Sequence, residues 1–464
     1  MTDTAHQGAE AARCPYAGGD GGPLPDPVPL YGPAYKRDPY PLYRRMREAG
    51  PVHRVEFPSG IHAWLVTGYQ AAHAALNDPR LGKNHALGNA NWRRLASIMP
   101  EPQHSALQVH LLHQDPPKHT SMRRLVLDAF APRRVESLRP RFQQLADALV
   151  DELPETGGAD LVAGFAAHYP FRVLAEVIGL PAELAARFDR DWGKVVQPVG
   201  PQDPGRPAYE ARLRGLQTYI ADVVDRKRAD RAAPGWTATE DLLGRLVEAH
   251  DAGELSRAEL DSMVFQLLVA GQEPVTNQIT TMVVTLLRHP DQLARLRDSL
   301  LGSSPDTPRD SPRDSSPDRP GHDPGTLARA VEELLRHDAA FELTTWRFLA
   351  EDDDLFGTTV PAGDSVIVSL CAANRDEARF PDADRLDLDR TPNAHLAFGH
   401  GIHYCPGAAL ARAELQVALA TLLTRLPGLR PSPEPGEGLD ELGWIPAVLA
   451  RGVDRLPVAY DRRA

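Results

Sequence analysis

The stretch from Ser256 to Leu287 constrains the fold more than any other part of this chain. Ser256 and Glu259 form a Ser-x-x-Glu capping box, where each side chain satisfies the other residue's free backbone N–H. Apolar residues then recur at helical spacing through Met263, Leu267 and Leu268 to Leu287. A helix of that length crosses a whole domain and must be buried over most of its surface. The chain is therefore expected to form a large helix-rich body around it. Pro274 interrupts the run. It lacks an N–H and crowds the carbonyl of Ala270, so a kink is expected there.

The 464 residues suffice for a large core without disulfides. A net charge of −12 argues against a global electrostatic grip on nucleic acid. Three cysteines (Cys14, Cys371 and Cys405) are too few for a disulfide framework and lack the spacing of a CxxC zinc pattern. Residues 1–29 contain no apolar run, so neither a signal peptide nor a membrane anchor is expected. The expected location is cytoplasmic.

Residues 1–28 read as a flexible tail, and 29–464 as one catalytic domain. Tyr40 to Glu48 is expected to be a short helix. Residues 52–57 and 61–67, around Pro58-Ser59-Gly60, predict a hairpin. Helical spacing returns over 133–153 and 207–231. Residues 302–324 form a polar, Pro-rich insertion with nothing to bury. Short β-type runs follow at 344–349 and 365–369, and a last long helix is expected over 408–426. The fold class is mainly α (α+β), with a smaller β-rich region.

The segment from His395 to Gly407 is the richest in chemistry. Gly399 and Gly401 let the loop turn tightly against a flat ligand. Cys405 lies just before a helix, where free N–H groups favour a thiolate. Such a thiolate can hold a haem iron or a soft metal. His395, His400 and His403 lie close by, which keeps a His/Cys zinc site open. An inert buried cysteine in a Gly-rich loop is the third reading.

The run from Phe398 through Gly399, His403 and Cys405 to Gly407 resembles the haem-binding signature of the cytochrome P-450 superfamily, soluble bacterial class. The likeness extends from about residue 28 to 460, except for the insertion. It implies haem b with Cys405 as the iron's thiolate ligand. Glu333 and Arg336 resemble the family's Glu-x-x-Arg pair, with Arg385 completing a salt-bridged triad. His119 and Arg123 resemble the pair that binds haem propionates, and Arg347 and His403 match further propionate positions. The implied activity is oxidation of a small organic molecule with dioxygen and external electrons, as a monooxygenase of bacterial secondary metabolism. The implied partner is a ferredoxin or flavodoxin. A basic patch of Arg123, Arg124, Arg133, Arg134 and Arg412 is a plausible docking face.

The sequence departs from the family at one telling position. Ala270-Gly271-Gln272-Glu273-Pro274-Val275 aligns with the family's Ala-Gly-x-acid-Thr-Thr. Glu273 keeps the acid, but Pro274 removes the hydroxyl that steadies dioxygen and relays protons to it. Thr276, two residues on, points elsewhere. Protons are then expected to come through Glu273 and water, or from the substrate itself. Alternatively the enzyme couples or crosslinks an aromatic or peptide substrate without inserting oxygen. Leu267, Val269, Ala270, Gly271, Thr344 and Trp92 are the expected pocket residues. The other polar residues between 83 and 112 read mainly as a solvated loop; the sharper alternative is a polar, acid-bearing substrate.

Overall fold

The computed structural model describes residues 22–462 apart from 59, 97–105, 190–191, 193–194, 196–203, 234–240 and 303–324. Cys14, most of the expected tail and nearly all of the Pro-rich insertion lie outside the described residues.

Six helices frame the site: α1 (Lys118–Leu127), α2 (Pro132–Glu152), α3 (Tyr169–Ile178), α4 (Arg257–Arg288), α5 (Thr326–His337) and α6 (Ala408–Arg425). α4 is the 32-residue central helix, and Ser256 and Glu259 close the reciprocal capping box at its start. Its Leu268, Ile279 and Met282 join Phe142 of α2, Val173 of α3 and Leu422 of α6 in one apolar cluster. Each such side chain stabilises the fold by roughly 1.5–3 kcal/mol on burial. α4 runs on as one helix through Pro274, so no break forms there. One proline removes one hydrogen bond, and the buried turns on either side hold the helix together.

A five-stranded sheet closes one side. β1 (Val28–Pro29), β2 (Val52–Glu56), β3 (His62–Val66), β4 (Arg347–Phe348) and β5 (Ser365–Val368) stand in the order β1-β2-β3-β5-β4. β2 and β3 form the expected hairpin, with Val52 opposite Val66. β5 is buried along its whole length, which explains its unbroken Ser-Val-Ile-Val run. The β-type pattern at 344–349 yields only the short β4, because the residues ahead of it line a cavity instead.

The boundary of the tail needs correcting. Val28 is buried and pairs with Val55, and Leu24 packs against the sheet-side core. Residues 24–28 are thus part of the folded domain. Their apolar side chains find a docking site that composition alone does not reveal.

Candidate active site

α4, α6, the loop before α6 and the segment preceding β4 enclose a large cavity. The space between atoms amounts to about 1560 Å³, open solvent at its mouth included. Leu267, Ala270, Gly271 and Pro274 line it from α4, three or four residues apart, which places them on one helix face. Thr344 lines the facing wall, its hydroxyl oxygen accepting from the Val368 N–H at 3.1 Å. Glu273 is half-buried on the same turn but does not line the cavity. Thr276 does turn elsewhere; its hydroxyl donates to the Ala166 carbonyl at 2.8 Å.

Two expected pocket residues belong elsewhere. Val269 is buried in the helical core, since its place on α4 is rotated away from the cavity-lining face. Trp92 is buried against Phe348 and Trp346, with ring centroids 4.6 and 6.0 Å away. It lines a separate cavity beside β3, with about 530 Å³ of space between atoms, open solvent included. The polar stretch between 83 and 112 is not simply a solvated loop either. Lys83, His110 and His113 are buried. The His113 ring centroid lies 3.8 Å from that of His85 and 4.4 Å from that of His110, so tilted rings pack together where a polar sequence suggested solvent.

Burial lowers the His110 pKa to about 3, with Lys83 adding to the effect. His110 is thus neutral in the folded state and titrates near 6.5 when unfolded. Its contribution is fully present above pH about 6.5 and is lost as pH falls from there toward about 3. Urea unfolding should show stability declining by up to about 1.4 kcal/mol per pH unit from this residue. His110→Phe keeps a ring but removes the titration, and should flatten the slope. Equal slopes in both proteins would refute this.

Cys405 occupies the cavity floor. Its N–H donates to the Phe398 carbonyl at 3.0 Å, which ties the loop into a tight return before α6. Gly401 has φ +74°, and a Cβ there would come within 2.7 Å of the Leu76 carbonyl oxygen. Only glycine therefore lets this loop sit so close to its neighbour. Gly399 also has positive φ and, like Phe398 and Gly407, lines the cavity. Burial raises the Cys405 thiol pKa, while the Gly407 N–H and the cations Arg123 and Arg412 oppose the rise. The three nearby histidines do not converge on the sulfur. His395 meets Glu332 at 3.1 Å, His400 packs on His73 and His403 on His119. Among the described residues no group of His, Cys, Asp or Glu is arranged for a metal ion, so the zinc arrangement is not formed.

At one end of the cavity, Lys83, Arg347 and His403 come together. Burial lowers the pKa of both Lys83 and Arg347, that of Arg347 to about 10, with Asp115 opposing the fall at both and Asp78 at Arg347. Lys83 donates to the Trp346 carbonyl at 3.0 Å and touches the Thr345 hydroxyl, but Arg347 Nε, His403 Nε2 and the adjacent His119 Nε2 have no hydrogen-bond partner. Arg123 does not line the cavity and donates to the Tyr404 carbonyl at 2.8 Å, though its charge acts on both His119 and His403. Lys83 was not singled out as a site residue from sequence, since a lone lysine in a polar stretch carries no pattern.

Behind the loop, Glu333 and Arg336 on α5 are fully buried and joined by two hydrogen bonds of 2.7 and 2.8 Å. The third member is not Arg385. That side chain is 65% exposed and pairs with Asp387. Arg390 takes the place, with Nε 3.1 Å from Glu333, while Arg385 offers only its carbonyl, 3.3 Å from Arg336. The turn at 382–390 carries Arg390 inward and Arg385 out, which local spacing does not settle.

The cytochrome P450 family model matches residues 207–427. The mycinamicin IV hydroxylase/epoxidase of Micromonospora griseorubida is 41% identical over 422 residues, covering 90% of this chain and 94% of that protein. The chain is a cytochrome P-450. Among solved structures, a myxobacterial cytochrome P-450, CYP267B1, in complex with myristic acid, matches with TM-score 0.81 and 36% identity, covering 93% of this chain and 98% of that one. CxnD, a cytochrome P-450 enzyme for C–S bond formation in chuangxinmycin biosynthesis, matches with TM-score 0.76 and 31% identity over 92% of this chain and 95% of that one. This P-450 is accordingly a haem-thiolate oxidoreductase that uses dioxygen and external electrons to oxidise a small organic substrate. It depends on a redox partner for those electrons. No helix among the described residues is long and apolar enough to cross a membrane. The cavity fits the cofactor: a thiol on its floor, and Arg347, His403 and the adjacent His119 with unpartnered buried nitrogens at one end, suit a haem b that carries two carboxylates.

Proposed function

We propose that this cytochrome P-450 hydroxylates a largely apolar, natural-product-sized molecule in the cytoplasm, with Cys405 as the thiolate ligand. The observation that carries the assignment of the ligand is the place of Cys405 on the cavity floor. Cys371, the other described cysteine, is buried away from the cavity and donates to the Ala339 carbonyl at 3.6 Å. Arg347, His403, His119 and Lys83 would hold the propionates. The bound haem supplies the redox chemistry, and the thiolate's electron density favours O–O cleavage. Leu267, Ala270 and Gly271 would seat the substrate, the small side chains at 270 and 271 leaving it room. Leu111, Leu112, Met263 and Phe341 make the remaining walls apolar, which weighs against a polar, acid-bearing substrate.

The test is the optical spectrum of the dithionite-reduced protein with carbon monoxide. A strongly red-shifted Soret band is expected, and its loss in Cys405→Ala. An unshifted band in the wild type would overturn the ligand assignment.

Oxidative coupling stands as a second reading because neither Pro274 nor Thr276 offers the cavity a hydroxyl. Mass analysis of the product separates the two. Hydroxylation adds one oxygen atom; coupling removes two hydrogens.

The electron donor in this reading is a ferredoxin or flavodoxin docking beside Cys405. Arg412 is less available than the sequence suggested, because it chelates Glu332 at 2.7 and 2.8 Å. Exposed Arg133 remains, as does Arg124, 72% exposed in spite of its 2.9 Å surface pair with Glu254. Arg124→Glu and Arg133→Glu should each slow reduction by ferredoxin about 5-fold at low salt, the effect of roughly 1 kcal/mol. Stopped-flow rates equal to wild type in both would remove this face as the docking site.

A further inference from the structure

The cavity-lining face of α4 does not end at Pro274. One turn further on, Gln278 lines the same cavity. It is a polar residue beside apolar neighbours, yet it offers a ligand nothing to bond with. It is buried, and both ends of its amide are taken. Nε2 donates to the Asp338 carbonyl at 3.1 Å and to the Thr281 hydroxyl oxygen at 3.3 Å. Oε1 accepts from the Ala340 N–H at 2.8 Å. An amide carries a donor and an acceptor on one carbon, which neither a carboxylate nor an apolar side chain can match. Gln278 thus grips two backbone groups, two residues apart, on the segment that joins α5 to β4.

That segment is the wall facing α4. Its Ala339, Ala340, Phe341 and Thr344 line the cavity. Between residues 338 and 346 it forms neither helix nor strand, only isolated bridges at Phe341 and Leu343. No ladder of its own therefore fixes where it lies, and its position depends on what ties it down. One set of ties comes from residues that do not line the cavity. The Arg451 N–H donates to the Ala340 carbonyl at 2.8 Å, and the Leu449 carbonyl accepts from the Glu342 and Leu343 N–H groups at 2.9 and 3.2 Å. Gln278 supplies the tie to α4. Ala340, itself buried, is held by both its backbone groups, one to the C-terminal loop and one to the central helix.

We propose that Gln278 is a specificity-determining residue of this enzyme: it fixes the gap between α4 and the 339–344 wall, and with it the breadth of molecule that the cavity admits. Its polar atoms are spent on the backbone, so it acts through Ala340 and Phe341 and is a positioning residue. A wall held at two points cannot swing outward to take a broader ligand unless a buried N–H loses its acceptor. The inference rests on the cytochrome P-450 reading and adds to it what sets the width of the substrate, but it does not depend on the choice between hydroxylation and coupling.

The experiment uses haem-loaded wild type, Gln278→Met and Gln278→Asn. Each is titrated with two azoles that ligate a haem iron, slender imidazole and broad clotrimazole, and the Soret shift gives each Kd. Methionine keeps the length of glutamine and loses both hydrogen bonds; asparagine is one methylene too short to make both. Clotrimazole should bind at least about 10-fold more tightly relative to imidazole in Gln278→Met, the low side of the discrimination that one methylene of pocket shape confers. Imidazole is too small to press on the wall and should bind as in the wild type. Gln278→Asn should move the ratio the same way, and it decides the matter if Gln278→Met does not fold. Hydrogen exchange of the ligand-free proteins, read by mass spectrometry, should quicken over 338–345 in both variants. A ratio that does not move toward clotrimazole, even with stability in urea reduced, would mean that Gln278 merely packs, and overturns the proposal. So would exchange over 338–345 as slow as in the wild type. An unshifted Soret band in reduced, carbon monoxide-treated wild type would instead overturn the thiolate reading beneath it.

Discussion

Glu333→Ala should yield protein that purifies with little or no haem. Glu333 is fully buried and accepts from Arg336, Arg390, the Asp387 N–H at 3.0 Å and the Asn393 amide at 3.2 Å. Removing the carboxylate strands the buried guanidinium of Arg336, whose remaining partners are carbonyls. Breaking such a pair costs about 3–5 kcal/mol, a large part of the roughly 5–15 kcal/mol that holds a domain folded. The loss is local to the place where it matters. Glu332, the neighbour of Glu333 on α5, grips Arg412 of α6 and His395 of the cysteine loop. A loosened α5 therefore lets the loop that presents Cys405 drift. Arg390→Ala should approach the same defect, whereas Arg385→Ala should retain haem, since its side chain is exposed. Haem content by pyridine haemochrome decides between them. Full occupancy in Glu333→Ala, or equal loss in the two arginine variants, would refute this account.

Glu342→Ala should be nearly as damaging, for a different reason. Its carboxylate is fully buried and takes Lys36 at 2.8 Å and the hydroxyls of Tyr35 and Tyr43. Burial alone would raise its pKa, but Lys36 and Arg451 more than offset that and hold it below the usual carboxylate range. Without Glu342, the buried Lys36 ammonium keeps only the Ala450 carbonyl at 3.4 Å, and the Tyr35 and Tyr43 hydroxyls keep only each other. The expected cost is again about 3–5 kcal/mol. Glu342 also anchors the segment whose Phe341 and Thr344 form a cavity wall, so substrate binding should weaken along with stability. Glu342→Gln keeps an acceptor for the tyrosines and should lose less, about 1–3 kcal/mol. Urea unfolding of the three proteins measures this. A midpoint for Glu342→Ala within error of wild type would sink it.

The two networks show where local pattern stops informing. Glu333 and Arg336 could be paired on sequence because three residues on a helix share a face. Arg390 could not be chosen over Arg385, because the path of a loop depends on what it packs against. Lys36 and Glu342 lie too far apart in the chain for any spacing argument, and each alone reads as a surface charge. Val269 was misplaced for the opposite reason. It sits among true pocket residues in the chain, yet one helical step turns it into the core.

What the sequence determined by itself is local and periodic. The capping box at Ser256, the apolar spacing that makes α4 a buried helix, the hairpin at 52–66 and the Gly-rich return ahead of Cys405 all follow from short-range sterics and hydrogen bonding. The family followed from the specificity of that return. The tertiary structure alone decided which charges are buried, because burial is a property of everything packed around a side chain. It gathered Lys83 and Arg347 at one end of the cavity, packed His85 against His113, and left Glu414 facing the cavity without a counter-ion. Desolvation sets the protonation of these groups, and it depends on the packed interior, not on neighbours in the chain.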